Sequence, residues 1–487
     1  MMRSGRIKGR GLKAIDWTLV VCYLLLVLIG WINIYASVHS AEPTSIFDLS
    51  VRSGKQFIWI VTSLGLAAII LLVINPRYYE GLSLWIYIFM LILLVAVIFL
   101  GIEVKGSRSW FAFGPIRLQP AEFSKISTSL LLATVMSQVG YRIHRLKDFL
   151  ITALIILVPM LIIIGQSETG TALVYVGYIF VLYREGMTGW ILFVIGMAIL
   201  LFILTLTVSS YAALWVLLAV TIISNAIYTK QSKLWFYIGG PILILMAFVP
   251  SIFEAICANT SPEAFINKIK PTYILLSAIA LATPFITFYA YRHRQKFTHF
   301  ATIALLGGAV LVYSTDFIFH SVLQTHQRKR IEVLLGMKDD PTGVGYNVNQ
   351  SMIAIGSGGL TGKGYLKGTQ TAYGFVPEQS TDFIFCTVGE EWGFLGAVAL
   401  ILLYMYFIYR IIKNAEKSRE AFTRIYGYCV ASIIFMHLFI NIGMTVGLMP
   451  VIGIPLPLIS YGGSSLLAFT IMIFIFIALV RNEKKYF

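Results

Sequence analysis

Charge is what this sequence has least of. Only 12% of its 487 residues are Asp, Glu, Lys or Arg, about half the roughly 25% of a soluble domain. So little charge cannot cover a globular surface, which excludes a soluble enzyme, a disordered scaffold and a small secreted domain. Acidic residues are the scarcer sign, 22 against 37 basic ones, giving a net charge of +15. Cysteine is rare too. Cys22, Cys257, Cys386 and Cys429 show no metal-binding spacing, and two fall inside apolar runs, against a disulfide framework. What abounds is apolar: 58% hydrophobic residues with 33 Phe, 26 Tyr and 9 Trp, and a mean hydropathy of +0.83. Most of the chain belongs in lipid.

On a soluble protein the positive balance would point to nucleic acid. Here it reads as loops that hold membrane topology, and no nucleic-acid partner is expected. Fourteen apolar runs approach the roughly 20 residues of a span. They lie near 14–37, 54–74, 81–101, 121–139, 148–165, 170–184, 189–208, 211–228, 234–253, 271–291, 299–319, 391–412, 421–447 and 461–481. The first is as long as a full span and reads as a retained helix, not a cleaved signal. The expected fold is an all-α polytopic membrane protein of about fourteen helices.

With the N-terminus inside, alternation places the basic groups after spans four, eight, ten and twelve, and those at both termini, on the cytoplasmic side. These include Arg142, Arg145, Lys147, Lys230, Lys233, Arg292, Arg294, Lys296, Arg410 and Arg481. Two stretches break the rule and put cations outside. One is the loop around 102–125, with Lys105, Arg108, Arg117 and Lys125. The other is 320–390, with Arg328, Lys329, Arg330, Lys338, Lys363 and Lys367. Topology does not need them; an anion on the outer face would.

Residues 320–390 form the one long stretch without a span. Short apolar pieces such as MIAIG and DFIF predict small helices at the outer interface. Asp339 and Asp340 follow three cations within it; D-P-x-G is a turn signature as well as a candidate carboxylate site. GSGGLTGKG has the wrong glycine spacing for a phosphate loop, and Gly364 stands where Ser or Thr should hold magnesium. It reads as a glycine hinge. Asp16, Glu122, Lys125, Glu168 and His437 are ionisable residues within spans. Glu122 and Lys125 share a helix face, as an interhelical clamp or as the wall of an outward-opening polar cavity. Trp110 fits an aromatic-belt anchor or the same cavity.

Four strings together carry a resemblance. They are KGSRSWFAFGPIRLQPAEFSK at 105–125, QRKRIEVLLGMKDDPTGVGYNVNQSMIAIGSGGLTGKG at 327–364, GTQTAYGFVPEQSTDFIFCTVGEEWGFLG at 368–396 and NIGMTVGLMPVIGIPLPLISYGGSS at 441–465. In this order they resemble the bacterial peptidoglycan polymerases of the shape, elongation, division and sporulation family. GTQ before F-x-P-E, and IGIPLP before SYGGSS, resemble the elongation branch more than the division branch. The family has ten spans, with one between its short sixth span and the catalytic loop; this chain has five there. The implied organisation is a single transmembrane domain over 1–487, with four inserted spans at about 209–298 and an extracytoplasmic catalytic loop at 320–390. QSETG at 166–170 departs from the family's Q-P-D-L-G.

The resemblance implies polymerisation of lipid II into glycan strands on the outer face of the plasma membrane, both termini being cytoplasmic. It matches Asp340 to the catalytic aspartate. It makes Arg328, Arg330 and Lys363 candidates for the diphosphate, and places Trp110, Gln119, Glu122, Lys125, Gln327 and Asp382 at the substrate; for Asp382, as for Glu378, ordering the loop is the alternative role. A divalent cation, magnesium or manganese, is compatible with a diphosphate, but no ligand cluster marks one. Implied partners are undecaprenyl-diphosphate-linked glycan, membrane lipids and a class B penicillin-binding protein. A lipid II flippase, a wall-synthase scaffold and a division-specific polymerase are the alternatives. The first expects charges along a central path and repeats, and the chain has no repeat.

Overall fold

The computed structural model describes residues 15–38, 45–104, 106–114, 116–229, 232–258, 270–322, 328, 332, 345–449 and 451–486. Each of the fourteen apolar runs is helical. Among the described residues, twelve helices are long and apolar enough to cross a membrane. The other two runs fall short for local reasons. α4 (Pro120–Met136) has 17 residues, and the run near 170–184 is broken into α6 (Thr169–Val174), a 3-10 turn and α7 (Tyr178–Arg184).

The helices divide into two compact units, residues 1–187 with 341–487, and 188–340. The first holds α1 (Trp17–Val38), α2 (Arg52–Leu72), α3 (Arg77–Leu100), α4, α5 (Leu146–Gly165), α6 and α7. After the second unit it continues with α14 (Tyr346–Ser357), the short α15 (Thr369–Ala372), α16 (Ile384–Lys417), α17 (Ala421–Thr445) and α18 (Gly463–Tyr486). α4 lies in its middle, packed against α3, α5, α17 and α18. It is buried on nearly every face, although it carries Ser124, Lys125, Ser127, Thr128 and Ser129. Tyrosines meet these groups: Tyr175 OH lies 2.6 Å from Ser124 Oγ, and Tyr178 OH donates to the Lys125 carbonyl at 2.9 Å. A helix this polar is stable inside lipid only when protein surrounds it.

A three-stranded antiparallel sheet caps one end of this unit. β1 (Ile102–Val104), β2 (Ser107–Phe113) and β3 (Ile116–Leu118) pair in sequence order between α3 and α4. The register sets Ile102 opposite Trp110 and Phe111 opposite Leu118. At the other end, Asp16 accepts from Asn414 Nδ2 at 2.7 Å and pairs with Arg410, while Arg424 grips Glu185 through two contacts near 3.0 Å.

The second unit contains α8 (Gly189–Thr207), α9 (Ser210–Tyr228), a single turn α10 (Ser232–Leu234), a π-helical turn at Trp235–Gly239, α11 (Gly240–Ala258), α12 (Pro271–Arg292) and α13 (Lys296–Phe317). Its core is aliphatic, with Leu201, Leu214, Leu217, Leu275, Leu305 and Val312 interlocked.

Candidate active site

The capped end of the first unit holds Trp110, Gln119, Glu122 and Lys125 of the residues selected from the sequence. Gln119 precedes Pro120 at the start of α4, and its backbone N–H reaches Ser464 Oγ at 3.4 Å. Ser464 in turn donates to the Arg117 carbonyl at 2.9 Å, tying β3 to the SYGGSS string. Glu122 and Lys125 follow, about 4.5 and 9 Å further along the helix axis.

Lys125 Nζ lies 2.9 Å from Glu122 Oε2, and both side chains are 2% exposed. His437 of α17 completes the cluster, its Nε2 standing 2.8 Å from the ammonium. Nδ1 of the same ring lies 3.1 Å from the Pro455 carbonyl. That carbonyl can only accept, so Nδ1 carries the hydrogen and Nε2 accepts from Lys125. The Phe469 ring covers the ammonium at 5.1 Å. A buried cation is therefore held by a carboxylate, an imidazole and a ring face, which offset its desolvation.

The hairpin owes its position to a carboxylate. Glu168 Oε1 accepts from Ser107 Oγ at 2.9 Å and Ser109 Oγ at 2.6 Å, and Ser107 also lies 3.0 Å from the Gln166 carbonyl. The QSETG departure thus joins the break between α5 and α6 to β2, with Ser167 in the left-handed region at φ 63°. Trp110 lies on that strand, half-buried.

A second charged cluster surrounds Glu390 on α16, whose side chain is fully buried. Lys363 Nζ lies 2.7 Å from Glu390 Oε1 and 2.7 Å from Thr369 Oγ1. The backbone N–H groups of Gln370 and Thr371 donate to the same carboxylate at 2.8 and 2.9 Å. Lys363 is thus engaged by protein, with its side chain 26% exposed. The glycine string 356–364 is a packed strap and not the hinge its composition predicts. Lys363 N–H and Gly364 N–H bond to the carbonyls of Glu390 and Glu391 at 3.0 Å, and Phe394 N–H bonds back to Gly359 at 2.9 Å. Gly393 breaks α16 at φ 66°, and a Cβ there would lie 2.2 Å from Gly362 N. Two backbones meet where no side chain fits. Beside them burial, with the Glu391 charge adding to it, pushes the Tyr365 hydroxyl up to about 12.

Asp382 is half-buried, and its carbonyl accepts from Asn441 Nδ2 at 2.8 Å. Asn441 also donates to the Ile454 carbonyl at 2.7 Å, so one amide pins the 380s loop to the IGIPLP segment. Glu378, at φ 54°, accepts from Thr381 Oγ1 at 3.0 Å. Arg52 hydrogen-bonds Ser380 and lies 5.8 Å from the Tyr461 ring centre. Burial pushes the Tyr461 hydroxyl up, opposed by that guanidinium. In the second unit, Arg328 bonds Glu332 at 3.0 Å and covers the Phe319 ring at 5.1 Å. Asp340, Gln327 and Arg330 lie outside the described residues. Among the described residues no three His, Cys, Asp or Glu side chains are grouped to hold a metal ion; Asp339 is also outside them.

Sequence reasoning did not select Arg52, Ser107, Ser109, Glu390 or Asn441, and it listed His437 without a partner. One signal was available: Glu390 and Glu391 are adjacent carboxylates at the start of an apolar run, where lipid would penalise them unless something cationic were near.

The family model described as "Cell cycle protein", covering FtsW, RodA and SpoVE, matches residues 16–226 and 212–485. The chain is 32% identical over 461 residues to the "Peptidoglycan glycosyltransferase RodA" of Treponema pallidum, covering 94% of this chain and 95% of that protein. It is 30% identical over 395 residues to the "Peptidoglycan glycosyltransferase MrdB" of Escherichia coli K12, covering 81% and 76%. In fold it is similar to the crystal structure of the Thermus thermophilus rod shape determining protein RodA, with TM-score 0.52, 20% identity and coverage of 96% and 97%. A chain from a study of polymerisation and crosslinking by a peptidoglycan synthase complex gives TM-score 0.59 at 22% identity, covering 97% and 98%. With its four motif strings in order and its helices arranged as in those structures, this chain is a member of the FtsW/RodA/SpoVE family.

Proposed function

We propose that this peptidoglycan glycosyltransferase of cell elongation polymerises lipid II on the outer face of the bacterial plasma membrane, with Asp340 as its general base. The observation carrying the activity is the 32% identity to a peptidoglycan glycosyltransferase across 94% of the chain. The acceptor GlcNAc 4-hydroxyl attacks the anomeric carbon of the donor MurNAc, and its proton passes to the Asp340 carboxylate. The glycosidic C–O bond forms as the bond from that carbon to the diphosphate oxygen breaks, inverting the configuration. Undecaprenyl diphosphate leaves with the electron pair. Glycoside hydrolysis needs a second carboxyl group to protonate an alkoxide. A diphosphate leaves as a stabilised anion, so one base and nearby cations suffice.

Arg328, Arg330 and Lys363 are the cations of this reading, where charge-assisted bonds to phosphate oxygens are strongest. Lys363 would reach the diphosphate by exchanging its contact with Glu390. Trp110, Gln119, Glu122, Lys125, Gln327 and Asp382 are the substrate-site residues of this reading; Lys125 is neutralised by Glu122, so the pair shapes the site without adding net charge. Both termini face the cytoplasm in this topology, and 209–298 is an even insertion that preserves it. A class B penicillin-binding protein is the partner that the family resemblance supports. Purified protein given lipid II should form glycan polymer; lipid II that stays monomeric would sink the reading, and its transfer between leaflets without polymer would favour a flippase.

A further inference from the structure

The second unit contains a cavity of about 640 Å³ between α9, the π-helical turn, α11, α12 and α13. Its floor is aliphatic and buried: Ile222, Leu275, Ile279 and Leu305. Its mouth opens past Phe285 and Ile238, 76% and 54% exposed, onto the apolar surface of the unit. The size is that of a ligand pocket.

One end of this cavity is not apolar. Trp235 lines it, and its indole N–H is buried without a hydrogen-bond partner among the described residues. Two polar aromatics of α9 are satisfied by contrast: Trp215 Nε1 donates to the Leu243 carbonyl at 3.1 Å, and Tyr211 OH donates to the Met246 carbonyl. A lone buried donor calls for an acceptor from elsewhere. Trp235 also opens the π-helical turn, a distortion frequent at functional sites.

Basic residues adjoin this end along the chain. Lys233 lies two residues before Trp235, and the lining Tyr289 lies against His293 with ring centres 4.4 Å apart and planes tilted by 43°, next to Arg292 in sequence. Segments 226–236 and 288–300 together contain Lys230, Lys233, Arg292, Arg294 and Lys296, with no Asp or Glu. The unit's Glu254 and Asp316 stand toward the opposite ends of α11 and α13. Among the described residues no carboxylate pairs with these cations. Topology explains positive charge at a helix end. It does not explain a cavity and an unmet donor beside it.

We propose that this cavity binds an anionic glycerophospholipid from the leaflet facing the basic ends, one acyl chain lying on the aliphatic floor. The phosphate accepts from Trp235 Nε1 and sits among Lys233, Arg292 and their basic neighbours. Such pockets between spans are known destinations of anionic headgroups. The site stands apart from the polymerase reading and survives its failure.

Native mass spectrometry of the full-length protein tests this, with phosphatidylglycerol and phosphatidylcholine of equal chain length as probes. Phosphatidylglycerol should be retained roughly tenfold better, given the attraction each basic residue adds near a membrane surface. Trp235→Phe keeps the ring and removes only the donor; it should weaken retention several-fold, as should Lys233→Gln with Arg292→Gln. Ala278→Trp fills the cavity and should abolish it. Equal retention of the two lipids would overturn the proposal, as would wild-type retention by Trp235→Phe and the charge variant. Competition by chain-free glycerophosphoglycerol as strong as by the lipid would also overturn it, because the site would then take an anion alone.

Discussion

The Lys125 ammonium lies 2.8 Å from His437 Nε2, although 312 positions separate the two residues in the chain. The Pro455 carbonyl holds the other ring nitrogen, so the imidazole can serve the lysine only as an acceptor. α4 and α17 are thereby joined at a charge that neither could bury alone.

His437→Phe preserves the ring and deletes the acceptor. It should destabilise the protein by about 1–3 kcal/mol, the cost of one unmet buried group. Glu122→Gln removes the counter-charge and should cost more, about 3–5 kcal/mol. Thermal melting of both variants in one detergent checks the order. A His437→Phe melting point equal to wild type would show that the imidazole contributes nothing to holding Lys125.

Lys363 has two readings that can be separated. Lys363→Gln should lower the melting point modestly, because Glu390 keeps its backbone and hydroxyl donors at 2.8–2.9 Å. Both Glu390 oxygens accept a backbone N–H, so the carboxylate is left in place and Lys363→Gln is measured alone. If Lys363 binds diphosphate, polymerisation by this folded variant falls far more than its modest loss of stability explains. Near-wild-type activity in the folded variant would make Lys363 a structural residue alone.

The helices were legible because a span leaves a long local signal. All fourteen runs are helical, including α4, whose serines and Lys125 dilute its hydropathy. The sheet at 102–118 was not legible. Its strands are three to seven residues long, and the serines that fix β2 answer to Glu168, about 60 positions away. Composition also misread the glycine string at 356–364. Glycine supplies flexibility and close backbone approach alike, and only the kink at Gly393 reveals which is used here. Glu122 and Lys125 could be paired from spacing, whereas His437 is joined to them only by tertiary packing.

Gly393→Ala tests that approach. Its φ of 66° and a Cβ 2.2 Å from Gly362 N leave no side chain to move aside, so the loss should exceed the roughly 1–3 kcal/mol of left-handed strain alone. Gly81→Ala is the control. It lies within α3 with nothing within 4 Å of its Cβ, and should be neutral or stabilising by about 0.5–1 kcal/mol. Similar melting points for the two variants would contradict the packed strap.

Topology is open to thiol labelling in intact cells, with Cys257 and Cys386 first replaced by Ser. Tyr373→Cys, at a position 77% exposed, and Ser261→Cys should both react with an impermeant reagent. Gln295→Cys, between the basic ends of α12 and α13, should not. Protection at 373 would place residues 345–383 in the cytoplasm and refute an outward-facing polymerase.

The most direct measurement compares Asp340→Asn with Asp339→Asn in lipid II polymerisation by purified, correctly inserted protein. An amide cannot accept the hydroxyl proton, and loss of a general base costs about 10²–10⁴ in rate. Asp340→Asn should therefore leave no detectable polymer while binding lipid II, and Asp339→Asn should retain most activity. Full-rate polymerisation by Asp340→Asn would contradict the account.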